Sequence, residues 1–254
     1  MSRIHFIGGE KGGVGKSVLS RVLAQYHIDR ELPFRAFDTD RSHGAMMRFY
    51  GGYTTPVALD DFSGADQLME AAVERTQNVL VDLAAQTARP LFQWMDENDL
   101  LGLAAEQGVG VVLWHVRDDG ADGIGLLEQL FAPFPTGADY VVVKNLGRGK
   151  DFSAFEASRA RQTADALAVP VVELPELHAA TMRKVDHDNL SFWAAANSRE
   201  AGLGLMERQR VKVWTRKAYQ QFDAAGGSLF ARHAVVDGGA DAAQTETPIL
   251  DPVV

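Results

Sequence analysis

The sequence contains no cysteine. That excludes disulfides, thiolate zinc sites, iron–sulfur clusters and Cys nucleophiles, and fits a reducing compartment. No apolar run approaches the roughly 18 to 20 residues that a membrane-spanning helix needs. The N-terminus, MSRIHFIGGEKGG, turns glycine-rich before an apolar stretch of secretory length develops, so it does not read as an export signal. Basic residues are outnumbered, 25 Lys plus Arg against 34 Asp plus Glu, for a formal charge of −9. A surface that coats nucleic acid everywhere is thereby excluded, while a local basic patch is not. The expectation is a cytoplasmic protein, and its 254 residues, 46% of them apolar, are ample for one large domain.

The patterning that is present alternates strand and helix. Ile4, Phe6 and Ile7 form an apolar run of the kind found in buried parallel strands. From Lys16 the positions Val18, Leu19, Val22, Leu23 and Tyr26 recur at helical spacing. Strands are predicted at Phe34 to Asp38, Val79 to Asp82, Val109 to Val116, Tyr140 to Val143 and Val169 to Leu174. Helices are predicted from Ser63, with Asp66 completing a capping box, around Pro90, at Gly123 to Phe131 closed by Pro133 and Pro135, and at Ser153 to Ala168. Residues 41–61 show no clear helix or strand pattern, with Gly51-Gly52 and Pro56 marking loop. This order predicts an α/β fold: one doubly wound, mostly parallel sheet with helices on both faces. Residues 1–225 form the predicted domain. Residues 226–254, with two Gly-Gly pairs, one Arg, four acids and no sustained periodicity, read as a mostly disordered acidic tail.

The most informative segment is Lys11-Gly12-Gly13-Val14-Gly15-Lys16-Ser17, between the first strand and the first helix. Such a turn aims successive backbone N–H groups inward, and the helix N-terminus adds partial positive charge. The glycines let the backbone approach phosphates with torsions a Cβ would forbid. Lys16 has the reach for β- and γ-phosphates, and the Ser17 hydroxyl can bind Mg²⁺. The pattern G-x-x-x-x-G-K-[ST] would place its first glycine at position 10, where this chain has Glu10.

With that departure and the extra Lys11, the loop resembles the deviant Walker A motif of the ParA/MinD ATPases. The resemblance implies an ATP-dependent homodimer in which Lys11 reaches the nucleotide of the other subunit. Asp38-Thr39-Asp40 looks like the family's switch I, which implies that Asp40 positions the attacking water and Asp38 supports the metal site; a helix cap is the plainer reading of the two acids. Val79-Leu80-Val81-Asp82 looks like the Walker B strand, which implies that Asp82 holds Mg²⁺ through water. Asn145 and Pro175 occupy the places where relatives meet the adenine. The implied nucleotide contacts are then Glu10, Lys11, Gly12, Gly13, Val14, Gly15, Lys16, Ser17 and Val18, with Asn145 and Pro175 at the base. The implied metal residues are Ser17, Asp38 and Asp82, and the implied hydrolytic set is Lys11, Lys16 and Asp40, acting on ATP with Mg²⁺. The chain departs from the family after Asp82, where Leu83-Ala84-Ala85-Gln86 lacks the usual switch II glycine. Gln86 either orients water, as glutamines do in other phosphate-cleaving enzymes, or is a surface residue.

Outside the motifs, His5 and His115 lack acidic or histidine companions at metal-ligand spacing and read as core or strand-end residues. Glu207 to Lys217 carries five basic residues and one acid. It is either a solvated helix face, a protein contact, or, as in some ParA proteins, a non-specific DNA contact through Arg208, Arg210, Lys212, Arg216 and Lys217. The C-terminus has no basic amphipathic helix, so membrane targeting of the MinD kind is not expected. The short N-terminus and the basic C-terminal helix are most similar to the small ATPases of plasmid conjugation regions, the TraL-like group. The expected function is a dimeric ATP switch in partitioning, conjugative transfer or cargo positioning, accelerated by a protein activator. The rivals are a ligase or small-molecule kinase on the same scaffold, and a nucleotide-binding module with little hydrolysis.

Overall fold

The computed structural model of the protein describes residues 1–9, 11–40, 44–131, 136–226 and 229. In chain order the elements are β1 (Ser2–Gly8), α1 (Lys16–Asp29), β2 (Phe34–Asp38), α2 (Ala45–Tyr50), β3 (Thr54–Pro56), α3 (Phe62–Glu74), β4 (Asn78–Asp82), α4 (Ala88–Glu97), α5 (Leu100–Glu106) and β5 (Val109–Arg117). They continue with α6 (Asp122–Phe131), β6 (Asp139–Asn145), α7 (Ser153–Glu156), α8 (Arg159–Ala166), β7 (Val171–Leu174), α9 (Ala179–His187), α10 (Phe192–Asn197) and α11 (Leu205–Ala225).

The strands form one sheet in the order β3-β2-β4-β1-β5-β6-β7, every pairing parallel. Side chains alternate between two cores, as the strand period of two requires. Ile7, Val112, Trp114 and Val116 face a layer built from α1, α2, α10 and α11, whereas Ile4, Phe6, Val111 and Leu113 face α3 to α6 and α8. The doubly wound sheet expected from the sequence is therefore present. Its central strand β1 lies between β4 and β5, so the chain leaves β1 where crossovers depart to opposite sides, the place where open α/β sheets bind ligands.

Four local readings change. Residues 45–50 and 54–56, in the stretch without a clear pattern, form α2, which buries Met46 and Tyr50, and the edge strand β3, which buries Thr54. Pro56 is tolerated because an edge strand need not donate on its outer side. The third helix is capped by Asp61, which accepts from the Ser63 N–H, while Asp66 accepts from Trp94 Nε1 at 2.9 Å in place of closing a capping box. The helix expected over Ser153 to Ala168 is two, because Ser158 caps α8 by accepting from the Arg161 N–H. The strand expected from Val169 starts at Val171, after Pro170. Glu10, Pro133, Pro135 and most of the expected tail lie outside the described residues. Leu229 is buried against the first core.

Candidate functional site

The turn leaving β1 is shaped by glycines with backbone angles that favour them. Gly13 and Gly15 have φ of 80° and 103°, and a Cβ on Gly15 would stand 2.2 Å from Asn145 Nδ2. Gly15 opens α1, whose first turn contains no acid, so its unpaired N–H groups keep their full pull on an anion. Lys16 is the first helical residue, 8% exposed, and its Nζ donates to the Lys11 carbonyl at 3.2 Å, folded over the loop. Val14 is buried in the first core and Val18 packs against it, anchoring the loop on both sides.

Strand register brings the carboxylates to this turn. Asp82 pairs with Ile7 on one side and Asp38 on the other. One helical turn beyond the loop, Ser20 Oγ donates to Asp82 Oδ1 at 2.9 Å, and Ser17 also bonds this carboxylate. Burial, and then the nearby Asp38 carboxylate, push the Asp82 acid up to about 7. Asp38 is also raised, chiefly by burial. Its Oδ1 accepts from the Asp40 N–H at 3.0 Å and its Oδ2 from the N–H groups of Met46 and Met47 at 2.8 and 3.3 Å. Asp38 thus serves the first turn of α2, the capping role weighed for it from sequence. Asp40 is half-buried and follows directly on this hub.

The donor set of Ser17 hydroxyl and Asp82 carboxylate is all oxygen, the chemistry a hard divalent ion such as Mg²⁺ requires. A buried carboxylate whose proton affinity is raised beside a second carboxylate gains from such a cation. Among the described residues no cluster of three or more His, Asp or Glu forms a protein-only metal cage.

Lys11 is exposed, and its Nζ donates to Asp118 Oδ2 at 3.0 Å in the same chain. This bond raises the lysine above its ordinary range. Asn145, at the end of β6, donates from Nδ2 to the Val14 carbonyl at 2.7 Å and accepts on Oδ1 from the Gly147 N–H. The amide expected near adenine thereby joins the phosphate loop to the loop after β6. Pro175 directly follows β7, its carbonyl accepting from Trp214 Nε1 at 2.6 Å. Gln86 is exposed in the left-handed region with φ 66°. On α11, Val211, Trp214, Ala218 and Phe222 face the core, leaving Arg210, Lys212, Arg216 and Lys217 exposed. Arg208 is half-buried, and its Nη1 donates to the Leu203 carbonyl.

Sequence reasoning missed Ser20, Asp118 and the hydroxyl of Thr39. Thr39 Oγ1 donates to the Asp82 carbonyl at 3.1 Å and accepts from the Ala84 N–H at 2.8 Å. Ser20 was findable, lying three residues after Ser17 on one helix face. Asp118 and Thr39 depend on strand neighbours far apart in the chain.

Sheet order, glycine turn and strand-end carboxylates together make a P-loop NTPase fold of the MinD type. The septum site-determining protein MinD of Pyrococcus horikoshii, solved with Mg-ADP, matches 89% of this chain and 100% of its own at a TM-score of 0.50 and 13% identity. MinD of Aquifex aeolicus, solved in complex with MinC, matches 87% and 96% at the same score and identity. This likeness is one of fold. In sequence, the chain is similar to a TraL protein of Escherichia coli, 28% identical over 242 residues, covering 89% of this chain and 99% of the relative. A second E. coli TraL is 24% identical over 246 residues, and MobD of Acidithiobacillus ferrooxidans is 27% identical over 178 residues, covering 68% of this chain and 78% of MobD. No family model matches the chain. Among the described residues no helix is long and apolar enough to cross a membrane.

Proposed function

We propose that residues 1–225 form a cytoplasmic, Mg²⁺-dependent ATPase that closes as a homodimer around ATP and serves as a molecular switch in conjugative DNA transfer. The observation that carries this reading is the meeting of Lys16, Ser17 and Asp82 at the start of α1, with an anion-seeking helix end beside a buried acid. The similarity to TraL and MobD supports the choice of process. Mg²⁺, when bound, draws off phosphate charge. The loop N–H groups from Gly12 to Ser17 cradle the phosphates, and Lys16 exchanges the Lys11 carbonyl for phosphate oxygens. Asp40 orients the attacking water, and Lys11 leaves Asp118 to neutralise charge on the partner's nucleotide. Catalysis of this kind is positioning plus charge stabilisation. A protein activator accelerates it, and the exposed basic residues of α11 contact DNA without sequence preference.

Light scattering with ATP, ADP and a Lys11→Ala variant tests the switch. Dimer is expected only for the parent chain with ATP; a monomer there removes the dimeric reading. The segment after Asp82 favours a second reading, a nucleotide-binding module with little hydrolysis. It has no glycine, and Thr87 Oγ1 closes its turn on the Ala84 carbonyl at 2.8 Å. Single-turnover hydrolysis by parent and Asp40→Ala separates the two, because equal rates take Asp40 out of the chemistry.

A further inference from the structure

Apart from Met1, the most exposed large apolar side chains among the described residues gather where α10 meets α11. Trp193 of α10 is 57% exposed, and Leu205 and Met206, which open α11, are 72 and 61% exposed. Between the two helices runs a groove of about 260 Å³ whose lining includes Ala196, Asn197, Leu205, Arg199, Arg208 and Lys212. It holds three cations and no acid.

The backbone of Trp193 is tied down while its side chain stands outside. Its N–H donates to Gln25 Oε1 at 3.0 Å, and its carbonyl accepts from Asn197 Nδ2, on the groove wall, at 3.0 Å. The neighbouring Phe192 is buried, its ring 4.7 Å from that of Trp214, which sets Trp193 level with this turn of α11. Among the described residues the indole meets no other ring or cation, and its Nε1 has no acceptor. The cations form a row. Arg208, Lys212 and Arg216 follow one another at i+4, about 6 Å apart along one flank of α11, and Arg199 stands at the end of the groove. Among the described residues none of these four makes an ion pair. Acids nearby are engaged elsewhere: Glu207 with Lys184, Asp223 with Arg30, and Asp29 with the Tyr219 hydroxyl. Glu200, beside Arg199, is exposed. Arg210 and Lys217 fall on the other flank of the helix.

We propose that the Trp193 flank of α11 binds single-stranded nucleic acid, with a base stacked on Trp193 and the phosphates following Arg199, Arg208, Lys212 and Arg216. The site narrows the DNA contact of the reading above, and so rests on it, to one flank and one form of nucleic acid. A cation row beside an exposed aromatic face is the combination that single strands use, because every base has a π-face and every linkage a phosphate. In a duplex the bases are already stacked and turned inward, so Trp193 and Leu205 gain nothing from it. The formal charge of −9 acts in the same direction, since a duplex brings the denser charge to the acidic remainder of the surface. A purely apolar partner would cover the three groove cations without a counter-charge, at a desolvation cost.

Trp94, Trp114 and Trp214 are 3% exposed or less, so quenching of the tryptophan emission by a bound base reads Trp193. A mixed-sequence DNA strand of about 16 nucleotides and its duplex are titrated into the full chain, without nucleotide and with ATP and Mg²⁺. The single strand is expected to quench saturably and to bind at least about ten-fold tighter than the duplex. Trp193→Ala is expected to weaken single-strand binding about ten-fold, read by anisotropy of a labelled strand, and Trp193→Phe to keep most of it. Log affinity against log salt is expected to fall with a slope of about −3, as four phosphates require, and Lys212→Gln with Arg216→Gln to flatten it by about 1.4. The equal charge change Arg210→Gln with Lys217→Gln is expected to flatten it by less than half as much; equal effects overturn the row. Duplex binding as tight as single-strand binding, or single-strand binding unmoved by Trp193→Ala, overturns the site and leaves the DNA contact of α11 standing. No binding of either form at low salt overturns both, while the ATP-driven dimer is judged separately by light scattering. A blue shift of the emission on phosphatidylglycerol vesicles, with no response to the strand, overturns the site in favour of a lipid surface.

Discussion

Asp82 is wedged between Ile7 and Asp38 by strand register, and its acid is raised to about 7 by burial and by the second carboxylate. In the unfolded chain the same group titrates near the ordinary ~3.9. The folded protein therefore holds a proton that the unfolded chain has released. This contribution to stability is complete below about pH 4 and is lost as pH rises through about 7. Asp82→Asn keeps an acceptor for Ser17 and Ser20 without the titration. In the ligand-free protein its stability relative to the parent is expected to improve by about 1.4 kcal/mol per pH unit between about pH 4 and 7. Urea unfolding of both proteins across that range measures the difference. A constant difference would mean that Asp82 is ionised throughout. The same variant is expected to lose Mg²⁺-dependent nucleotide binding, read with a fluorescent ADP.

At the scale of elements, the phosphate loop is held by a clamp that runs between β1 and β6. Asn145 approaches Gly15 so closely that a Cβ would stand 2.2 Å from Nδ2, and Gly15 is also left-handed with φ 103°. Gly15→Ala suffers from both clash and torsion, and is expected to weaken nucleotide binding at least about a hundred-fold, near the 2.7 kcal/mol that two tenfold steps represent. Adding Asn145→Ala relieves only the clash, so titration of the double variant is expected to show partial recovery; none would leave the torsion as the whole cause. The loop itself was legible in the sequence because its torsions demand glycines in one contiguous stretch, and the central strands because both their faces are apolar. The edge strand β3 was not, since three residues ending in Pro56 carry no periodicity. The contacts of Lys11 with Asp118 and of Thr39 with Ala84 were not, since register sets them between segments 107 and 45 positions apart.

For the whole molecule, the three buried histidines among the described residues set the acid limit. His5, His27 and His115 are lowered by burial to about 3, 4 and 4. Unfolded, each takes a proton near pH 6.5, so stability is present above that pH and falls below it, by about 1.4 kcal/mol per pH unit per histidine until the folded values are reached. Asp82 offsets one of these in the parent chain. Urea midpoints at pH 7, 5.5 and 4.5 are expected to fall steadily; a flat series would mean that the rings are accessible to protons. For the proposed dimer, the restraint to be broken is the ion pair of Lys11 with Asp118 within one chain. Asp118→Asn is expected to lower the ATP concentration at which dimer forms, read by sedimentation, whereas an unchanged curve would make that pair incidental. A last consequence belongs to the Thr39 hydroxyl. Because one oxygen is bonded at once to the Asp82 carbonyl and to the Ala84 N–H, the chain leaving β2 cannot drift while the chain leaving β4 stays still. Two loops far apart in sequence thus behave as one hinge. Thr39→Val, equal in shape but without the hydroxyl, removes the tie to Ala84 and leaves only the backbone N–H of position 39 on the Asp82 carbonyl, at 3.1 Å, to couple the two.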